Sequence, residues 1–108
     1  MAISISKSNY QKEVIESKKP VIIDVFAVWC GPCQMMKPVF AALEKELGQA
    51  YVFATLDVEA ERELSTELGV TSIPSFLFFN KGQLIGKEVG VINADTFKRL
   101  LVSYFSTE

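Results

Sequence analysis

Histidine is absent from this 108-residue sequence, and cysteine occurs only twice. A chain without histidine cannot build a Cys–His nucleophilic pair, and two cysteines supply too few soft ligands for a four-coordinate zinc site within one chain. The formal net charge is only −2, which gives no reason to expect a nucleic-acid or membrane partner. These absences exclude a structural zinc module and leave the two cysteines as the candidates for chemistry.

Long apolar runs are also missing. None approaches the roughly eighteen uninterrupted apolar residues that a membrane-spanning helix requires. The first residues, Met1 to Ser4, contain no basic region followed by an apolar core, so we expect no signal peptide and a cytoplasmic location. A disulfide in that reducing compartment is more often transient and catalytic than structural. The length of 108 residues further predicts a single domain, residues 1–108.

Both cysteines lie in one short motif, Cys30-Gly31-Pro32-Cys33, directly after Trp29. The residues before it, Val21 to Val28, are apolar apart from Asp24, which is typical of a strand buried on both faces. The apolar residues after it recur at helical spacing, and we expect the helix to begin at Cys33. A Cys-x-x-Cys motif at a strand-to-helix turn is typical of a dithiol–disulfide redox site. An inert cysteine pair or half of a metal site is the alternative.

The position of Cys30 just before a helix predicts its reactivity. Unpaired backbone N–H groups and the helix dipole stabilise negative charge at a helix N-terminus, and the thiolate, not the thiol, attacks a disulfide. We therefore expect Cys30 to be the nucleophile that forms a mixed disulfide with a target. Cys33, one turn into the helix, is then close enough to resolve that intermediate in an intramolecular step.

The remaining sequence alternates between strand and helix patterns. We predict strands at residues 3–6, 21–28, 51–57, 75–79 and 83–89, and helices that start near residues 8, 33, 60 and 93. Ser8 to Gln11 fits a capping box for the first helix, and Asn93 can cap the last one. The order βαβαβαββα predicts an α/β fold, a mixed five-stranded sheet flanked by four helices, in which the last two strands form a hairpin.

With these motifs the sequence resembles the thioredoxin family. The residues that carry the resemblance are Ala27 to Cys33, Asp24, the pair Ile73-Pro74, Gly82 and Gly90. It extends from about Ile3 to Phe105 and therefore covers nearly the whole chain. The resemblance implies the thioredoxin fold, which agrees with the sheet and helices predicted from the strand and helix patterns.

The same resemblance implies a function. It indicates a general protein-disulfide reductase that is recycled by a thioredoxin reductase drawing on NADPH and a flavin. It implies no metal and no bound cofactor beyond a redox-active disulfide between Cys30 and Cys33, and we expect the protein to act as a monomer. Gly31 and Pro32 are the spacer that the family uses at the reducing end of its range, which favours a reductase over an oxidase or isomerase.

The resemblance also assigns roles to further residues. Asp24, a lone carboxyl in a buried strand, would lie beneath Cys33 and accept its proton; alternatively, it caps a backbone group near the turn. Burial should raise the pKa of Asp24, and Thr55, where many members carry a lysine, should leave that pKa more strongly raised. The Ile73–Pro74 bond is expected to be cis. The residues expected to form a docking surface for substrates are Trp29, Gly31, Pro32, Ile73, Pro74, Gly90 and Val91.

Two alternatives remain open at this point. The same fold serves disulfide oxidases and isomerases, which a reduction potential measured against glutathione would distinguish from a reductase. The other alternative is a thioredoxin-fold subunit that binds a partner without using its thiols. Covalent capture of many proteins by a Cys33→Ser variant would favour the enzyme, and unchanged tight binding to one protein would favour the binding subunit.

Overall fold

The computed structural model describes residues 2–106, and one sheet of five strands runs through them. The strands are β1 (Ile3–Ser4), β2 (Val21–Phe26), β3 (Val52–Asp57), β4 (Ser75–Asn80) and β5 (Gln83–Val89). Their order in the sheet is β1-β3-β2-β4-β5. Strand β3 is parallel to β1 and β2, whereas β4 is antiparallel to β2 and β5. The predicted mixed sheet is thereby confirmed.

Four helical segments cover the sheet, as the sequence predicts. They are a π-helical turn (Gln11–Ile15) and the helices α1 (Gly31–Leu47), α2 (Arg62–Glu67) and α3 (Ala94–Phe105). Together with the strands they give the predicted order βαβαβαββα. Within residues 2–106, every helix falls short of the length and hydrophobicity that a membrane span needs.

The central strand β2 separates two hydrophobic cores, because side chains alternate between the two faces of a strand. On one face, Val21 and Ile23 pack in a cluster with Val14 of the π-helical turn and Leu64 of α2. The buried cluster on the other face joins β2, β3 and β4 to α1 and α3, and its members are Ile22, Met36, Phe40, Leu43, Phe53, Phe76, Phe78, Ile92, Phe97 and Leu101. Strand β2 is thus buried on both sides, as predicted, and its even-numbered residues face α1.

The N-terminal helix begins differently from the prediction. The Ser8 Oγ lies 2.8 Å from the Ser6 Oγ, and the Glu16 N–H donates to the Gln11 carbonyl in a π-helical hydrogen bond. Asn9 accepts a hydrogen bond from the Ser6 N–H through its Oδ1 atom, at 2.8 Å. Within residues 2–106, no side chain caps the helical turn, whose N-cap position is Tyr10, so the predicted capping box is wrong. The Asn9 bond instead closes a turn before the helix starts.

Helix α1 starts earlier than predicted, at Gly31 and not at Cys33. The reason is that Cys30 itself occupies the N-cap position, and that Pro32 in the first turn already has the φ angle that a helix requires. At the last helix the prediction is confirmed, because the Asn93 Oδ1 accepts a hydrogen bond from the Thr96 N–H at 2.9 Å.

A tight turn at Lys81 and Gly82 joins β4 to β5, and the φ angles of these two residues are 53° and 80°. Positive φ at both central residues is typical of a type I′ hairpin turn. A side chain at position 82 would also clash with its surroundings, since an added Cβ would lie 2.9 Å from the Ile15 carbonyl oxygen. The predicted hairpin is confirmed, and it places β5 at an edge of the sheet.

Candidate active site

The two cysteines form a disulfide at the start of α1, with their Cα atoms 5.2 Å apart. Cys30 is the N-cap residue of the helix, and its Sγ accepts a hydrogen bond from the Cys33 N–H at 3.2 Å. That N–H belongs to the first turn, where backbone donors have no acceptor within the helix. The same donor and the helix dipole stabilise a negative charge on the Cys30 sulfur once the disulfide is reduced.

An apolar layer surrounds the disulfide. Both cysteines are buried and form one cluster with Ala27, against which Phe26, Val58 and Ile73 pack. Electrostatic interactions are stronger in such a water-poor environment than at the surface. The hydrogen bond from the Cys33 N–H therefore stabilises a charge on the Cys30 sulfur more strongly than it would in water. The cluster also brings Ile73 to the cysteines, although forty residues separate it from Cys33 in the sequence.

Trp29 covers the surface next to Cys30 and is not part of the core, since 68% of it is exposed. Its indole Nε1 donates a hydrogen bond to the Glu59 Oε2 at 2.9 Å. Both residues line an open groove of about 490 Å³ beside α2, whose other lining residues are Val58, Arg62, Ser65, Thr66, Val70, Thr71, Ser72 and Ile73. The groove adjoins the cysteine cluster through Val58 and Ile73.

The segment Ile73-Pro74 meets the loop that follows β5. The Ile73–Pro74 peptide bond is cis, which confirms the prediction. The Pro74 carbonyl accepts a hydrogen bond from the Gly90 N–H at 2.9 Å, and Gly90 has a φ of 99°, which favours glycine. Val91, the next residue, is 51% exposed. The structure thus brings both segments of the predicted docking surface together, with Ile73 against the cysteine cluster.

Asp24 lies on β2 between Thr55 of β3 and Phe76 of β4. Only 3% of it is exposed, and its Oδ1 atom has no hydrogen-bond partner within residues 2–106. Burial raises the pKa of Asp24 from 3.8 to about 7, against the opposing effect of the Lys37 ammonium. The direction is as predicted. In the described part of the chain this Oδ1 caps no backbone group, so the alternative role for Asp24 gains no support from it.

A cavity of about 340 Å³ lies beside Asp24, between the sheet and α1, and its lining residues are Ala2, Asp24, Phe26, Lys37, Phe40, Ala41, Glu44 and Thr55. The Lys37 Nζ lies 5.3 Å from the centroid of the Phe26 ring. Lys37 follows Cys33 by about one helical turn, so both side chains lie on the same side of α1. Asp24 therefore faces the side of the helix that carries Cys33.

Lys37 and Glu59 belong to the site but to none of the sequence motifs. Helical spacing from Cys33 is the one signal that could have found Lys37. Glu59 is 30 residues from Trp29 in the sequence, so only the folded chain reveals that pair. Within residues 2–106, histidine, cysteine and acidic side chains nowhere gather in threes that could hold a metal ion.

The chain matches the family model described as Thioredoxin over residues 1–103. It is 31% identical to the thioredoxin of Borreliella burgdorferi, over 97% of this chain and 98% of that protein. It is 33% identical to the thioredoxin of Rickettsia felis, over 84% of this chain and 87% of that protein. A bifunctional thioredoxin reductase/thioredoxin of Mycobacterium leprae is 36% identical, over 83% of this chain and 20% of that protein.

Replacing Asp24 by asparagine tests the cost of its buried charge. The folded protein favours the neutral carboxyl, so between about pH 4 and pH 7 it holds a proton that the unfolded chain releases. The free energy of unfolding therefore falls as the pH rises through this window, by up to about 4 kcal/mol. Urea unfolding of the oxidised protein should show that Asp24→Asn is stabilised over the parent at about pH 8 and loses that advantage at about pH 4.

Asp95→Asn is the matched control, because Asp95 is exposed in the first turn of α3. It should change the unfolding free energy by no more than about 1 kcal/mol at either pH. The same pH dependence of stability in Asp24→Asn and in the parent would contradict a raised pKa at Asp24.

Two substitutions around the cavity should move the pKa of Asp24 in opposite directions. Lys37→Gln removes the cation that lowers this pKa, so the pKa should rise. Thr55→Lys adds an ammonium directly beside Asp24 in the strand register and should lower it. NMR titration of the Asp24 carboxyl carbon measures both shifts. Lys45→Gln, about two turns further along α1, should leave the titration unchanged; a shift as large as that of Lys37→Gln would show a general charge effect.

Proposed function

The chain belongs to the thioredoxin family and is a protein-disulfide reductase, and we propose which of its residues carry out each step. Cys30 is the attacking thiol, Cys33 the resolving thiol and Asp24 the proton acceptor. The observation that carries the proposal is the hydrogen bond from the Cys33 N–H to the Cys30 Sγ at the N-terminus of α1. It supports Cys30 as the sulfur whose negative charge the helix stabilises.

The reaction transfers two electrons from the reduced cysteine pair to a target disulfide. The Cys30 thiolate attacks one target sulfur; a Cys30–target disulfide forms, the target S–S bond breaks, and the other target sulfur leaves as a thiolate that takes up a proton. Cys33 then loses its proton and attacks the Cys30 sulfur, which breaks the mixed disulfide and releases the reduced target. The Cys30–Cys33 disulfide of the structure is the oxidised product.

Asp24 is suited to the second step because its carboxyl changes protonation near neutral pH. With a pKa of about 7, a large fraction is ionised there and is basic enough to take the proton of Cys33. The cavity supports this role, since Asp24 and Lys37 line it together and Lys37 follows Cys33 by one helical turn. The proton then leaves Asp24 through the same cavity, which reaches the surface at the exposed residues Lys37 and Ala41.

Target proteins dock, in this proposal, on the surface formed by Trp29, Gly31, Pro32, Ile73, Pro74, Gly90 and Val91. Gly31 and Pro32 are exposed at the start of α1, and Trp29 and Val91 add exposed apolar area. Within residues 2–106, the backbone N–H and C=O of Ile73 form no hydrogen bond. Both groups are therefore available to pair with an extended target segment, as an added strand would.

We further propose that a thioredoxin reductase, drawing on NADPH and a flavin, returns the protein to its dithiol form. The relative from Mycobacterium leprae, described as a bifunctional thioredoxin reductase/thioredoxin, supports this pairing of activities. We also propose that the protein acts as a monomer in the cytoplasm and that its own cysteine pair is the only redox group it needs.

Serine substitutions at the two cysteines should separate the two steps. Cys30→Ser removes the attacking sulfur and should abolish the reduction of insulin disulfides in an assay coupled to thioredoxin reductase and NADPH. Cys33→Ser retains the attack but cannot resolve it, so mixed disulfides with target proteins should accumulate and be released by a reducing agent. Retained activity in Cys30→Ser, or trapping by Cys30→Ser and not by Cys33→Ser, would contradict the assignment.

A further inference from the structure

The thioether of Met36 makes a hydrogen bond that no step of the proposed reaction uses. Met36 lies on α1, three residues after Cys33, and is fully buried. Its Sδ accepts a hydrogen bond from the backbone N–H of Ile92 at 3.3 Å. Sulfur is a weak acceptor, and a buried methionine ordinarily serves to fill space. Within residues 2–106, this sulfur is the only acceptor that pairs with the buried Ile92 N–H.

Ile92 lies in the short connection between β5 and α3, and we call residues 90–92 of it the docking loop. The first N–H of the loop, from Gly90, donates to the Pro74 carbonyl at 2.9 Å. The last N–H, from Ile92, donates to Met36. Val91 lies between these two anchors and is exposed. The docking loop is therefore held from one side by the cis-proline segment and from the other by the helix that carries Cys33.

We propose that Met36 is a positioning residue for substrate docking, whose sulfur holds the docking loop where Val91 contacts the target polypeptide. The inference rests on the proposed function, since it requires that targets dock on Gly90 and Val91. Leucine or isoleucine at position 36 would occupy a similar volume but offer the Ile92 N–H no acceptor. The loop would then move toward water to satisfy that group, and Val91 would move with it.

The effect of Met36 is confined to docking. Met36 belongs to the core cluster between the sheet and α1, and not to the cluster that encloses the two sulfur atoms. The hydrogen bond from the Cys33 N–H to the Cys30 sulfur does not involve the Met36 side chain. A Met36 variant should therefore reduce a small disulfide at an unchanged rate, because such a substrate reacts at Cys30 without touching the docking loop. A protein disulfide needs the loop for binding. The loss of activity toward proteins should therefore appear in KM and not in kcat.

Met36→Leu and Met35→Leu form a matched pair for the test. Met35 is the neighbouring methionine of α1 and is 62% exposed, so the control makes the same chemical change outside the core. Met36→Leu should lose roughly three- to ten-fold in kcat/KM toward insulin disulfides, through a higher KM. Its rate toward a small aromatic disulfide should stay within about two-fold of the parent rate. Met35→Leu should match the parent on both substrates.

Amide hydrogen exchange gives a readout that does not depend on activity. The Ile92 amide should exchange roughly ten-fold faster in Met36→Leu than in the parent, while the Gly90 amide changes less because Pro74 still holds it. Unchanged exchange at Ile92, an unchanged KM toward insulin, or an equal loss with the small disulfide would each overturn the inference. If Met36→Leu unfolds, Met36→Ile carries the same test, since it also removes the sulfur and keeps an apolar side chain.

Failure of the proposed function has a different signature. A parent protein that reduces the small disulfide but no protein disulfide would overturn the docking surface and this inference with it. A parent that reduces insulin normally, together with a Met36→Leu variant that does so equally well, would overturn the inference alone.

Discussion

The hydrogen bond from the Cys33 N–H to the Cys30 sulfur is the interaction on which the site depends. It requires Cys30 to be the last extended residue before α1 and Cys33 to lie in the first turn. Gly31 and Pro32 satisfy this requirement, because glycine adds no side chain and proline has a helical φ angle without a backbone donor. The apolar cluster then keeps water away from a sulfur whose charge this helix end stabilises.

A carboxyl group in the central strand is the second constraint. A chain without histidine has no side chain that ordinarily titrates near neutral pH, and Asp24 acquires that property through burial. The ionised form is unfavourable at this position, so the proton transfer that we propose for Asp24 would be obtained at the expense of stability. Lys37 moderates the effect from the neighbouring helix, held over the Phe26 ring. In the proposed mechanism, reactivity and fold stability are therefore linked through Asp24 of β2.

Patterns in the sequence predict the parts of this structure that neighbouring residues decide. The strand predicted at residues 21–28 is correct over Val21–Phe26, and the cap at Asn93 is correct, because each depends on a few consecutive residues. The capping box at Ser8 fails because Asn9 offers the backbone a competing bond of equal range. The Ile92–Met36 contact spans 56 residues, and its acceptor is a sulfur that patterns treat as apolar. Such contacts follow from the packing of distant elements and have no local signal.

The two faces of β2 separate the groove beside Trp29 from the cavity beside Asp24. The groove is lined by α2 residues such as Arg62, on the face whose core contains Leu64, whereas the cavity is lined by α1 residues on the face that contains Phe40. Substitutions confined to the groove, which the proposed docking residues Trp29 and Ile73 line, leave the residues that line the cavity beside Asp24 unchanged. Duplicated genes for such a chain can thus evolve different target proteins while both products keep the same reaction.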